Sequence, residues 1–180
     1  MVMVFIVFLR YVNAGEKNKV NMSVLRSQIA GIGYENVTTY INSGNVFIRT
    51  DDDITSVSDN LAQMLNEKYE FDIPFVIVTQ EDYQSEILPE WWEKDMFRKS
   101  AIFFIGEGTM EAVKKNVKAY PLLNEHVTFG NNTLFWGIQN EKELGRSAYT
   151  KYLIKDELFQ KMTVRTSGTF DNIKKKLKQL

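Results

Sequence analysis

The order strand, helix, strand, strand, helix, strand can be read twice along this chain, and no other feature restricts its fold as much. Residues 2–9 are an unbroken apolar run rich in Val, Ile and Phe, the pattern of a strand covered on both faces. Met22, Leu25, Ile29 and Ile32 then recur on one helical face, with Gly31 and Gly33 marking its end. Val37–Ile41 and Val46–Arg49 read as strands joined by Asn42-Ser43-Gly44-Asn45, a hairpin-turn composition. Asp51, Asp52 and Asp53 lead into a helix striped by Ile54, Val57, Leu61, Met64 and Leu65, and acids suit a helix N-terminus. Ile73–Val78 completes the first set as a strand.

A connecting helix over Thr79–Leu88, with Thr79 and Asp82 at capping spacing, and an aromatic linker, PEWWEKDMFRKS, come next. The order then repeats. Ala101–Ile105 reads as a strand, and Met110, Val113 and Val117 as a helix stripe. Val127–Phe129 and Leu134–Ile138 flank a second turn, Gly130-Asn131-Asn132-Thr133. Ser147–Gln160 reads as one helix, Met162–Arg165 as a short strand, and Phe170, Ile173, Leu177 and Leu180 as the stripe of a final helix. The expected class is therefore α+β: two tandem ferredoxin-like βαββαβ units with antiparallel sheets. The units are placed at residues 1–79 and 101–180, the second carrying the C-terminal helix, with the connecting helix and linker over 80–100.

Composition narrows the chemistry more than it names it. The 180 residues suffice for two small cores. With no Cys, disulfides, thiolate metal sites and Cys nucleophiles are excluded, and the lone His126 rules out a multi-histidine metal site. No metal site is expected, and the residues point to no particular cofactor. The first charge, Arg10, follows the opening apolar run instead of preceding it, so the run does not read as a secretory signal. It is also too short to span a membrane. A cytoplasmic protein with no membrane partner is expected. The net charge of -1 conceals two opposite halves. Residues 1–90 hold 6 Lys and Arg against 13 Asp and Glu, and residues 91–180 hold 16 against 10.

Topology places distant loops together. In a ferredoxin-like unit the first and second strands are parallel, so the loop leaving the first strand shares an end with the hairpin. Arg10–Lys19 should lie beside Asn42–Asn45. By the same logic Arg165–Thr169 in the second unit should lie near Gly145-Arg146-Ser147.

The residues at these loops resemble a known family. FLRYVNAGEKNKVNMSVLR is similar to the LLRGINVGGKNKVxMxxLR opening of the bacterial domain of unknown function family 1697, and Gly33 with ENVTTYINSGNVFI is similar to its GFxNVxTYIxSGNVxF segment. The C-terminal GRS and TVRTSGT segments resemble its second conserved region more loosely. The matching positions are Arg10, Asn13, Gly15, Lys17, Asn18, Lys19, Tyr40, Ser43, Gly44 and Asn45, then Arg146, Ser147, Thr163, Arg165 and Thr169. The sequence departs from the pattern at Tyr11 and Glu16, where small residues are usual, and at Thr166-Ser167, where Asn-Trp is typical. The resemblance implies a duplicated α+β fold and brings no established activity.

Two candidate sites follow. Arg10, Asn13, Lys17 and Lys19 with Ser43 and Asn45 bring cations and hydrogen-bond donors to one loop of an otherwise acidic half, a composition suited to a phosphate or carboxylate. The other reading is that Arg10 and Asn13 hydrogen-bond the hairpin and fix the loop. Arg146, Ser147, Arg165 and Thr169 are a second candidate anion site at two helix starts, for which capping by Ser147 and Thr169 is the alternative. The expected function is binding of a small anionic or phosphate-containing ligand at the first site, with no catalytic residue assigned. The alternative is a nucleic-acid or protein interaction module on the basic second half, where Lys174, Lys175, Lys176 and Lys178 share the last helix. Against nucleic acid, the third strand, NVFIRT, lacks the aromatic pattern that stacks bases.

Overall fold

In the computed structural model, which describes residues 1–180, the elements run β1 (Met3–Leu9), α1 (Met22–Gly31), β2 (Asn36–Tyr40), β3 (Asn45–Thr50), α2 (Ile54–Lys68) and β4 (Phe75–Thr79), followed by α3 (Gln80–Ser85). After a short 3-10 turn at Glu90–Glu93 come β5 (Arg98–Phe104), α4 (Thr109–Lys118), β6 (His126–Phe129), β7 (Leu134–Ile138), α5 (Glu141–Leu144), α6 (Ala148–Lys151), β8 (Met162–Thr166) and α7 (Ser167–Leu177). The strands form two four-stranded sheets ordered β2-β3-β1-β4 and β6-β7-β5-β8, with all neighbours antiparallel. This is the duplicated α+β arrangement expected from the element order. The chain divides into two compact units, Met1–Tyr83 and Gln84–Leu180.

In the first unit Phe5, Val7 and Leu9 of β1 join Leu25 and Ile29 of α1 and Val57, Leu61 and Leu65 of α2 in one core. The intervening Ile6 and Phe8 are equally buried, which accounts for the unbroken apolar run of β1. Each such side chain contributes ~1.5–3 kcal/mol when removed from water. Asn21 caps α1 by accepting the Val24 N–H at 3.0 Å, and Asp53 caps α2 by accepting that of Ser56 at 2.8 Å. The Asp53 carboxyl is held below its ordinary range chiefly by that backbone hydrogen bond. The acidic triplet is thus a helix start.

The second unit departs from expectation between β7 and β8. Ser147–Gln160 is not one helix but α5's successor α6, of 4 residues, followed by 3-10 turns at Leu153–Lys155 and Glu157–Lys161. Asp156 makes the break. Its carboxylate accepts from the Leu158 N–H (2.9 Å), from Asn116 Nδ2 (2.9 Å) and from the Tyr120 hydroxyl (2.5 Å), tying the segment to α4. Burial and this carboxylate together push the Tyr120 phenol well above its usual pKa. β5 starts at Arg98, ahead of the Ala101 read from the sequence. Trp91 and Trp92, from the expected linker, are buried within this unit, their indoles donating to Thr128 Oγ1 and Asp171 Oδ1, each at 3.0 Å.

Candidate functional site

The antiparallel register pairs Phe8 of β1 with Asn45 of β3, and the Leu9 N–H reaches the Gly44 carbonyl at 2.8 Å. The loop leaving β1 therefore runs beside the β2–β3 hairpin. Asn13 pins it there: its Oδ1 accepts the Val20 N–H at 2.9 Å, and its Nδ2 donates to Val20 O at 2.9 Å and Asn42 O at 2.7 Å. On the other flank the Arg10 N–H donates to Pro74 O at 2.8 Å, joining the loop to the start of β4.

The six candidate residues divide by role. Asn13 is engaged at both ends of its amide, and Asn45, fully buried, donates to Tyr40 O at 2.9 Å and Ser43 Oγ at 3.0 Å. Both fix the loop and hairpin. Arg10 is buried at 6% exposure, with its guanidinium carbon 3.6 Å from the Tyr11 ring centroid. Burial lowers its pKa from the ordinary value, yet a guanidinium keeps its charge at neutral pH. Lys17 and Lys19 are exposed, Lys19 Nζ donating to Gly15 O at 2.8 Å with the Glu16 carboxylate 3.9 Å away. Ser43 is half-buried at the hairpin.

The backbone here is unusual. Every non-glycine residue with left-handed geometry lies in this loop or hairpin: Tyr11 (φ 61°), Asn13 (53°), Asn18 (53°) and Ile41 (51°), with Gly15 and Gly44 beside them. Left-handed geometry costs an L-residue roughly 1–2 kcal/mol, and such strain persists only where surrounding contacts impose it. The Asn13 amide is one imposing contact. Asn13→Ala should therefore destabilise the protein by ~2 kcal/mol, read as a shifted urea midpoint. A change below ~0.5 kcal/mol, the ordinary surface range, would mean the loop is held by other contacts.

Sequence alone offers no sign of a cavity of about 290 Å³ at the same end of the unit, because two elements build it. Leu65 of α2 and Ile73 line its buried side, Phe71, Pro74 and Phe75 are half-buried, and Ala62, Asn66 and Asp72 form an exposed rim. Pro74 links cavity and loop through the hydrogen bond from the Arg10 N–H.

The second candidate set is differently disposed. Arg165 is buried on β8, its guanidinium donating to Thr163 Oγ1 at 2.8 Å and to Val164 O at 3.0 Å. Arg146 is exposed in the turn between α5 and α6. Ser147 caps α6, accepting the Thr150 N–H at 3.2 Å, but the N-terminal amides of Ala148 and Tyr149 already donate to the Glu125 carboxylate at 2.9 and 3.0 Å. At α7 the cap is Thr166, not Thr169: the Thr169 N–H donates to Thr166 Oγ1 at 3.3 Å.

A family described as "Protein of unknown function (DUF1697)" matches residues 2–135. The chain belongs to this family. The matched residues include the whole loop, hairpin and cavity of the first unit. Among solved structures, a conserved bacterial protein, SP0830 from Streptococcus pneumoniae, is 33% identical with a TM-score of 0.92, over 98% of this chain and 99% of that one. A putative chlorite dismutase, TA0507, is 10% identical with a TM-score of 0.27, over 96% of this chain and 98% of that one. No curated protein matches the chain. No helix is long and apolar enough to cross a membrane.

Proposed function

We propose that this protein binds a small phosphate- or carboxylate-bearing ligand at the loop–hairpin end of its first unit, in the cytoplasm. The observation that carries this reading is the set of left-handed residues in the 11–18 loop and the adjoining hairpin, in a segment that carries Arg10, Lys17 and Lys19 within an otherwise acidic half of the sequence. A strained loop stapled by Asn13 holds its cations ready, so little ordering remains to oppose binding. Lys17 and Lys19 are the exposed contacts, Ser43 supplies a hydroxyl, and Arg10 supplies a fixed positive charge behind them.

The test uses inorganic phosphate and citrate as probes in thermal-shift titrations. A ligand at about 100 times its dissociation constant stabilises the folded state by ~2.7 kcal/mol. Lys17→Ala with Lys19→Ala should leave the unliganded melting temperature within about 2 °C, as surface changes do, and abolish the anion response. An unaltered response in the double variant defeats the reading.

The exposed Lys175 and Lys176 of α7 and Lys178 just after it favour a second reading, a nucleic-acid surface on the basic unit. It requires retention on RNA or DNA that weakens steeply with salt.

A further inference from the structure

We infer that the ligand of the first unit is a nucleoside monophosphate, its phosphate at the Lys17–Lys19 loop and its base in the cavity between α2 and β4. This rests on the anion-binding reading above and adds a second, apolar half to the site. Three observations lead to it. The cavity opens at the same end of the sheet as the loop, with Pro74 in its wall taking the Arg10 N–H. Its volume, about 290 Å³, falls just below the range for pockets that enclose a whole drug-sized ligand, ~300–1,000 Å³, and so suits one ring of a larger molecule.

The third observation is the lining. Phe71, Pro74 and Phe75 line it with apolar side chains, while the rim carries only Asn66 and Asp72 as polar side chains. An apolar slot with a few polar groups at its mouth suits a planar ring that carries its own donors and acceptors. Asp72 accepts, matching an amino or ring N–H group of a base, and Asn66, which both donates and accepts, matches a neighbouring carbonyl or amino group. Asp72 also repels a second anion, which orients the phosphate away from the cavity and toward the cationic loop. An inorganic anion would leave the cavity unused, and an apolar molecule would leave the lysines unused.

The experiment measures binding of inorganic phosphate, the common 5′-nucleoside monophosphates and their parent nucleosides to the full chain by calorimetry. At least one monophosphate should bind about tenfold or more tighter than phosphate and than its own nucleoside. Ala62→Phe, introduced from the exposed rim, should fill the cavity and remove that advantage while leaving phosphate affinity unchanged. Should that variant fail to fold, Phe71→Ala removes one wall and should weaken the monophosphate but not phosphate. Phosphate binding without any monophosphate advantage overturns this inference alone, as does an advantage that survives the cavity variants. Failure of phosphate and every monophosphate to bind overturns the anion-binding reading and this inference with it.

Discussion

Gly44→Ala should cost the first unit about 3 kcal/mol, combining left-handed strain with overpacking. The residue sits at φ 84° in the β2–β3 hairpin, where an L side chain is disfavoured whatever the space. An added Cβ would stand 2.7 Å from Leu9 Cβ and 2.8 Å from Val12 Cγ2. Neither neighbour yields cheaply, since Leu9 and Val12 are buried in the core and the Leu9 N–H is bonded to the Gly44 carbonyl itself. Gly15→Ala separates the two terms: its φ is 63° but no atom lies within 4 Å of the added Cβ. That variant should lose only ~1 kcal/mol. Equal losses in the two, measured by urea denaturation, would show that packing at the hairpin contributes nothing. Because Gly44 fixes the hairpin against the loop, the variant should also weaken any anion response through Lys17 and Lys19.

Much of this fold is legible in the sequence because its signals are local. The Leu25/Ile29 and Leu61/Leu65 spacings, the acidic helix start at Asp51–Asp53 and the two turn compositions each act within a few residues. Together they return the element order and hence the neighbouring of loop and hairpin. The single helix expected over Ser147–Gln160 fails for a nonlocal reason. Asp156 is engaged by Asn116 and Tyr120, which belong to or follow another helix, and no helical periodicity reveals that. The same limit applies at the sites. Arg10, Asn13 and Asn45 look alike as polar loop residues, but burial and partners divide them into a buried cation and two structural amides. Thr166 takes the place of Thr169 as the cap because α7 starts directly after β8, at Ser167, ahead of the apolar stripe that begins at Phe170. The cavity has no sequence signature, since Leu65 and Ile73 read simply as core.

Glu86→Ala should cost the second unit about 3 kcal/mol, because it strands three donors at once. Glu86 is 5% exposed, and its carboxylate accepts from the N–H groups of Asn131 (2.5 Å) and Asn132 (2.9 Å) and from Thr133 Oγ1 (3.1 Å). It thereby replaces water at the β6–β7 hairpin, which would otherwise leave those amides without acceptors. Glu86→Gln separates charge from shape: an amide oxygen can still accept, but its NH2 then faces donors, so a loss of ~1–2 kcal/mol is expected. Gly130 supplies the decisive control. A Cβ there would fall 2.1 Å from Glu86 Oε1 and 3.1 Å from Phe135 Cε2. Gly130→Ala must therefore expel the carboxylate in the native chain, whereas in Glu86→Ala only the tight Phe135 contact remains. The double variant should be less destabilised than the sum of the singles by ~1–2 kcal/mol, a coupling expected of groups in direct contact. Strict additivity in denaturant titrations would mean that the carboxylate and the hairpin do not act as one structure.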